Sequence, residues 1–221
     1  MGYMVNLVLQ GRSAVVVGGG RVASRKVEDL LAARAGVTVV APRPCPRILE
    51  LAEAKRIAAQ WRPYRTEDLR GAFVAIAAAD DEAVNAQVAS DAVAMNVLVN
   101  VVDRPALCTF TVPATVHRGA LTLGVATDGR CPALAGVLRA ELEQRYASEY
   151  AGLTDLFGEL RKRMIEMGWD SHRIREAIAR MYRDGAVKAI SDQERPAFDE
   201  FLRSHLGSDF PLPPSPYFKK N

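Results

Sequence analysis

A run of three glycines joins a strand-like segment to a helix-like one, and this joint constrains the fold more than any other feature of the chain. The segment before it, Ser13–Val17, is continuous and rich in valine, which is typical of a strand buried in a parallel sheet. The segment after it, from Val22 to Ala35, repeats apolar residues at the spacing of one helix face. The joint therefore predicts a strand–turn–helix unit.

The joint also satisfies the pattern G-x-G-x-x-A through Gly18, Gly20 and Ala23. In this pattern one glycine makes the tight turn, another lets a pyrophosphate approach the backbone, and the small third residue lets helix and strand pack closely. The helix N-terminus then faces the phosphates. We predict that Gly18, Gly19, Gly20 and Ala23 bind a dinucleotide, with a glycine turn that holds no ligand as the alternative.

Strand and helix patterns alternate over the rest of the first half of the chain. Such alternation predicts an α/β fold, a Rossmann-type parallel sheet with helices on both faces. The apolar residues 4–9 form either an outer strand or a lead-in. The expected strands cover 37–42, 72–79 and 97–103, and the expected helices cover 48–59 and 80–96.

The second half begins with two alternating segments joined at Arg118-Gly119, which predict a β-hairpin. From Pro132 onward the pattern is helical, and Ser191 with Glu194 forms a capping-box pattern. The further helices are expected at about 154–167, 172–184 and 192–206. The predicted divisions are a dinucleotide-binding domain at 1–112, a hairpin and helix region at 113–150, a helical C-terminal domain at 151–207 and an extended tail at 208–221.

The charge and the cysteine content of the chain indicate which kinds of ligand and compartment to expect. The 221 residues carry a formal net charge of +3, which suits a small acidic ligand and gives no reason to expect nucleic acid. Three widely spaced cysteines form no CxxC pair, so we expect no metal site or disulfide framework and a reducing cytoplasm. No apolar run approaches the roughly 20 residues of a membrane helix, and we find no signal-peptide pattern.

The end of the second predicted strand lacks an expected residue. A carboxylate usually stands there to hold the ribose hydroxyls of the cofactor, but this chain reads Ala41-Pro42-Arg43. Arg43 could accept a 2′-phosphate, so the residues leave both NAD and NADP open. A solvated loop charge is the alternative for Arg43.

Four segments in order make the chain resemble a known family. They read "VVVGGGRVASRKV", "AIAAADDEAVNAQV", "NVVDRPALCTFTVPA" and "RGALTLGVATDGRCPALAGVLRAELE". This order is similar to that of the precorrin-2 dehydrogenases, a family that includes the N-terminal region of siroheme synthases. The resemblance covers about residues 4–165.

The resemblance implies NAD-dependent oxidation of precorrin-2 to sirohydrochlorin in siroheme biosynthesis. It also implies a homodimer, associated through the region after the Rossmann-type domain, and in some members insertion of ferrous iron to give siroheme. The family's cofactor contacts fall on Arg21, Val22, Pro42 and Arg43, so the missing carboxylate agrees with NAD. The carboxylate implicated in catalysis and chelation falls on Asp103.

Two positions depart from the family pattern. Cys131 stands where relatives often have a serine before the proline, so a role for that hydroxyl does not carry over to this chain. Ala120 replaces an acidic residue in the hairpin turn, and we expect little effect on the chemistry.

Asp103 also stands out from its position alone. It ends a predicted parallel strand, at the edge where open α/β sheets bind ligands, so it could act as a general base or take pyrrole protons during metal entry. A carboxylate that merely caps the following turn is the alternative.

The remaining candidates are basic. Arginine suits a substrate rich in carboxylates, and the predicted substrate contacts are Arg104, His117, Arg118 and Arg130. Taken singly, each is more often a solvated surface group than a ligand contact, and it is the group as a whole that indicates binding. We interpret His205, on a predicted helix, as a surface group.

Two other functions compete with the dehydrogenase. A non-catalytic, nucleotide-sensing Rossmann regulatory module would need the glycine joint but not Asp103, and it would usually carry the missing carboxylate. A helical interaction protein that docks a pathway methyltransferase or chelatase is compatible with the enzyme.

Overall fold

The computed structural model of the chain describes residues 2–191 and 195–213. The chain divides into two compact units, and the boundary falls between Val112 and Pro113. Each unit builds its own apolar core. No helix among the described residues is long and apolar enough to cross a bilayer.

The first unit is a five-stranded parallel sheet in the order β3-β2-β1-β4-β5. The valine-rich strand before the glycines lies at its centre, which explains its continuous burial. The strands are β1 Ser13–Val17, β2 Gly36–Val40, β3 Ala58–Gln60, β4 Val74–Ala77 and β5 Leu98–Val101.

Helices cover both faces of this sheet, as the α/β Rossmann-type prediction requires. The helices are α1 Arg21–Ala32, α2 Pro46–Glu53 and α3 Glu82–Ala94. Val16 of β1 packs in one apolar cluster with residues of α1 and α2, whereas Val15 packs in a second cluster with residues of α3. The alternation of side chains along β1 therefore sends neighbouring valines into opposite cores.

The sequence prediction was wrong for one segment of this unit. The helix expected over 48–59 ends at Glu53, Lys55 takes a left-handed conformation with φ 54°, and Ala58–Gln60 forms the edge strand β3. Of the two alternatives for residues 4–9, the structure shows the lead-in, because these residues form no strand and Leu7 and Leu9 pack against the core.

The second unit begins with the predicted hairpin, in which Arg118 pairs with Leu121 across the turn. Five helices follow among the residues that the structure describes, one more than the sequence predicted, because α7 occupies part of the stretch between two expected helices. The elements are β6 Ala114–Arg118, β7 Leu121–Val125, α4 Pro132–Arg145, α5 Glu149–Glu166, α6 Ser171–Arg183, α7 Ala186–Ser191 and α8 Arg195–Leu206.

The helical core is formed by leucine and methionine side chains of α5, α6 and α8, with Leu156 and Met181 fully buried. Phe210, in the segment expected to be an extended tail, is buried in this core. His205 is not a surface group as predicted, because its side chain is only 11% exposed and lies 3.0 Å from the Asp184 carboxylate. The predicted capping box depends on Glu194, which lies outside the described residues.

Candidate functional site

The first two glycines of the turn are required by the protein's own packing. Gly18 has φ +131°, and a Cβ atom at this position would lie 2.2 Å from the carbonyl oxygen of Ala78, just after β4. A Cβ atom on Gly19 would lie 2.5 Å from the carbonyl oxygen of Arg43, after β2. Both residues therefore let the turn fit closely between the loops that follow β2 and β4.

Gly20 has the opposite character. Its φ is −82°, which any residue can adopt, and a Cβ atom there would meet no described atom within 4 Å. The space that a side chain would fill is thus kept open at the start of α1. An open cradle at this position is what close approach of a pyrophosphate requires.

The N-terminus of α1 presents free donors beside this cradle. Gly20 offers no side-chain cap, and the first hydrogen bond of the helix runs from the Ser24 N–H to the Gly20 carbonyl, at 3.0 Å. The N–H groups of Arg21, Val22 and Ala23 precede that bond, so they can bind an anion with the help of the helix dipole. These features fit a dinucleotide.

The loop after β2 forms the neighbouring wall. The Cys45 N–H donates to the Gly19 carbonyl at 2.7 Å, and this bond ties the loop to the glycine turn. Pro42 and Arg43 are exposed on the loop, which carries no carboxylate. The loop therefore offers backbone groups and the Arg43 side chain beside the glycine turn, and no carboxylate.

A cavity of about 890 Å³ opens between α1 and α2 next to this loop. Arg47, one of its basic residues, bonds Glu28 and Glu50, at 2.7 and 3.1 Å, and these bonds raise the pKa of Arg47. The cavity is lined by Arg21, Ser24, Arg25, Cys45, Pro46, Arg47 and Glu50.

Asp103 lies at the same edge of the sheet as the glycine turn. The register pairs Val17 of β1 with Ala77 of β4 and Ala77 with Val101 of β5, so the three strands end together. Asp103 follows β5, is exposed and has φ 58°, a left-handed conformation that aspartate tolerates better than most residues. Arg104, next to it, forms an ion pair with Glu82 at the start of α3.

The other predicted substrate contacts lie in the second unit. Nδ1 of His117, on β6, lies 3.1 Å from the Thr122 hydroxyl. Arg118 donates to the backbone carbonyls of Tyr146, His117 and Glu143, at 2.8, 2.9 and 3.1 Å. Arg130 is exposed in the loop before α4.

Asn85 has a structural role beside the glycine turn. Its side-chain amide bonds both the N–H and the carbonyl of Ala79, at 3.0 and 2.8 Å, and the residue is 8% exposed. The bonds fix the turn between β4 and α3, against which Gly18 packs. A helical asparagine that bonds a loop six residues earlier has no pattern in the sequence that could reveal it.

The sheet, the open glycine cradle and the uncapped helix define a Rossmann-type dinucleotide-binding protein. Residues 5–114 match the family described as putative NAD(P)-binding. The chain is 42% identical to the siroheme synthase of Psychrobacter cryohalolentis over 153 residues, 69% of this chain and 29% of that protein. It is 37% identical to the siroheme synthase of Pseudomonas aeruginosa over 198 residues, 90% of this chain and 43% of that protein.

A solved structure is similar over nearly its whole length. SirC, precorrin-2 dehydrogenase, matches with a TM-score of 0.74 and 29% identity, over 91% of this chain and 98% of that one. The chain belongs to the precorrin-2 dehydrogenase family. It spans less than half the length of the two siroheme synthases.

Proposed function

We propose that this protein oxidises precorrin-2 to sirohydrochlorin, with NAD as the oxidant, in siroheme biosynthesis. The observation that carries the proposal is the open cradle at Gly20 beside the uncapped N-terminus of α1, at the sheet edge that also bears Asp103. The family supports the same reaction. The alternative of a non-catalytic sensing module is not favoured, since these relatives are named as a synthase and a dehydrogenase.

The cofactor-binding residues are Gly18, Gly19, Gly20, Arg21, Val22, Ala23, Pro42 and Arg43. NAD, when bound, supplies the acceptor for a hydride from a saturated carbon of the macrocycle. The N–H groups at the start of α1 bind its pyrophosphate, and the loop of Pro42 and Arg43 holds its ribose.

Asp103 is the proposed proton acceptor. Loss of a hydride from the macrocycle must be accompanied by loss of a proton, and a carboxylate at the sheet edge can take it. The exposure of Asp103 and its place beside the glycine edge support this role. Where ferrous iron is also inserted, the same carboxylate would take pyrrole protons.

The substrate carries several carboxylates, and basic residues are proposed to hold them. Arg104, His117 and Arg130 keep donors for this purpose, although Arg104 must exchange its partner Glu82 for the substrate. Arg118 keeps two of its five N–H groups after its three backbone bonds, so it contributes more to the structure than to binding.

The protein is proposed to work as a homodimer in the cytoplasm. Three apolar side chains of α4, those of Leu134, Val137 and Leu138, are 49%, 56% and 36% exposed and offer a face for a second copy. All three cysteines are free, which suits a reducing compartment. Docking of a pathway methyltransferase or chelatase stays a prediction for the helical part.

An anaerobic assay with precorrin-2 tests the activity. NADH formation should depend on both precorrin-2 and NAD, and the tetrapyrrole product should be sirohydrochlorin. Addition of ferrous iron, with and without NAD, reports whether siroheme forms as well. Absence of turnover with either NAD or NADP would refute the proposed activity.

A further inference from the structure

The outer edge of β5 is closed by the segment that follows the Asp103 turn, which forms no strand. Its backbone contributes the Thr109 N–H, which donates to the Val99 carbonyl at 2.9 Å, and its side chains satisfy the outward N–H groups of β5. β5 is the last strand of the sheet. The N–H groups of Leu98, at its start, and of Val102, just after it, point toward β4 and donate to the carbonyls of Phe73 and Ala77. The N–H groups of Val99 and Val101 therefore point outward. Both residues are buried, so these donors need partners.

The segment just after the Asp103 turn supplies those partners. The Val99 N–H donates to the Thr109 hydroxyl at 2.8 Å, and the Val101 N–H donates to the Cys108 sulfur at 3.1 Å. Asn100 joins them, since its side-chain N–H groups reach the Phe110 carbonyl at 3.1 Å and the Cys108 sulfur at 3.7 Å. We call the side chains of Asn100, Cys108 and Thr109 the β5 clamp.

Within the β5 clamp, Cys108 contacts both ends of the turn that carries Asp103. Its sulfur lies 3.4 Å from the carbonyl oxygens of Val101 and of Arg104. Val101 lies two residues before the aspartate and Arg104 one residue after it. The single S–H can donate to either carbonyl while the sulfur accepts from Val101. Among the hydrogen bonds of the described residues, those of Thr109 all reach Val99, four residues before Asp103.

The conformation of Asp103 makes this support important. A non-glycine residue at φ 58° persists where its surroundings hold it there. The backbone bond that closes this turn, from the Arg104 N–H to the Val101 carbonyl, is long, at 3.3 Å. A proton acceptor must also be held close to its working geometry.

We infer that Cys108 is a positioning residue for the reaction, which acts by holding the turn that carries Asp103. The inference rests on the proposed role of Asp103 as the proton acceptor. Cys108 itself contacts no reacting atom. It affects the reaction rate because it sets the position of Asp103.

The test compares Cys108→Ala with Thr109→Val in the full-length protein. Each variant removes the acceptor of one outward N–H of β5, so both should lower the melting temperature. Only Cys108→Ala should lower kcat, by roughly 10- to 100-fold, the range that misplacement of a catalytic group costs. The Kd for NAD should stay unchanged in both, and Cys108→Ser, whose hydroxyl can donate and accept, should recover most of the lost rate.

A double-mutant cycle with Asp103→Asn shows whether Cys108 acts through the aspartate. When Asp103→Asn is already present, Cys108→Ala should cause no further loss of kcat. An equal loss with and without Asp103→Asn, or equal losses in Cys108→Ala and Thr109→Val, would overturn the inference.

The same set separates two kinds of failure. Wild-type kcat in Cys108→Ala together with an impaired Asp103→Asn would refute the positioning role alone. Wild-type kcat in Asp103→Asn would refute the assignment of Asp103, and the inference built on it would fall too.

Discussion

At the residue scale, the three glycines of the turn lack a side chain for two different reasons. Gly18 and Gly19 exclude a side chain because the backbone after β4 and after β2 occupies the space. Gly20 keeps free a space that no described protein atom uses. The same motif thus combines a folding requirement with a binding requirement, and substitutions can separate the two.

Gly20→Val should leave the fold intact and weaken NAD binding by at least about tenfold, because its side chain would fill the cradle beside the N–H groups of α1. Gly18→Ala should instead lower the free energy of unfolding by about 1–3 kcal/mol, since its φ is +131° and its Cβ would collide with Ala78. Chemical denaturation and titration with NAD measure the two effects. Loss of stability in Gly20→Val equal to that in Gly18→Ala would contradict this division.

The sequence predicted where Asp103 lies on the sheet, but it did not predict which groups the candidate side chains bond. Asp103 follows β5 at the expected sheet edge, as its place after an apolar run indicated. Arg118 looked like a substrate contact, yet three of its donors bind backbone carbonyls. Partners that lie 25 and 28 residues away along the chain leave no local pattern, and this is why sequence periodicity could not reveal them.

At the scale of elements, the strongly patterned segments were predicted well. The central strands and α1 follow from continuous valine runs and from a clear helix period. β3 was missed because Ala58–Gln60 is too short and too weakly apolar to show the alternation of a strand. Its strand state is decided by pairing with β2, which is a tertiary contact.

Arg118 connects β6 to the C-terminal end of α4. Its bonds to the carbonyls of Glu143 and Tyr146 satisfy acceptors that the end of a helix leaves open. Arg118→Ala should lower the melting temperature by a few degrees and leave the KM for precorrin-2 within about twofold. Arg130 is exposed in a loop, so Arg130→Ala should keep the melting temperature and raise the KM for precorrin-2. A raised KM without loss of stability in Arg118→Ala would return Arg118 to the substrate contacts.

The connection between β3 and β4 carries a pH-sensitive ion pair. Arg62 bonds both oxygens of Asp68, at 2.6 and 2.9 Å, and with the Arg65 N–H it holds the pKa of that carboxyl below its ordinary value. A lowered native pKa stabilises the fold above the unfolded-state value of about 3.9 and ceases to do so as the pH falls through the native value.

Asp68→Ala should therefore be less stable than the wild type at pH 7, and the difference should shrink as the pH falls below about 4. Denaturation midpoints between neutral and acidic pH measure it. Glu67→Ala, one residue earlier, is the matched control and should keep the wild-type pH dependence. A difference between Asp68→Ala and wild type that stays constant down to the lowest pH would contradict the prediction.

At the scale of the whole molecule, two units carry separate cores. The sheet unit holds the glycine turn and Asp103, which are proposed for the cofactor and the proton, and the second unit holds the exposed apolar face of α4 that is proposed for the dimer. The alternating pattern of the first half and the helical pattern of the second predicted this change of architecture.

Val137→Asp places a charge at the centre of that apolar face and should convert a dimer to monomers, because a charge buried in an interface without a partner is costly. Sedimentation velocity measures the change. Val93→Asp, at a 59% exposed position of α3 in the first unit, is the control and should leave the dimer intact. A monomeric wild type, or a dimer that survives Val137→Asp, would refute this interface.

The close fit of Gly18 against Ala78 has a kinetic consequence. The glycine turn is packed tightly between two loops and has little room to move. The hydrogen bonds of the Asn85 side chain fix one of those loops. NAD should therefore bind without a conformational change of the glycine turn. Stopped-flow traces should contain a single phase whose observed rate rises in proportion to the NAD concentration, without a plateau.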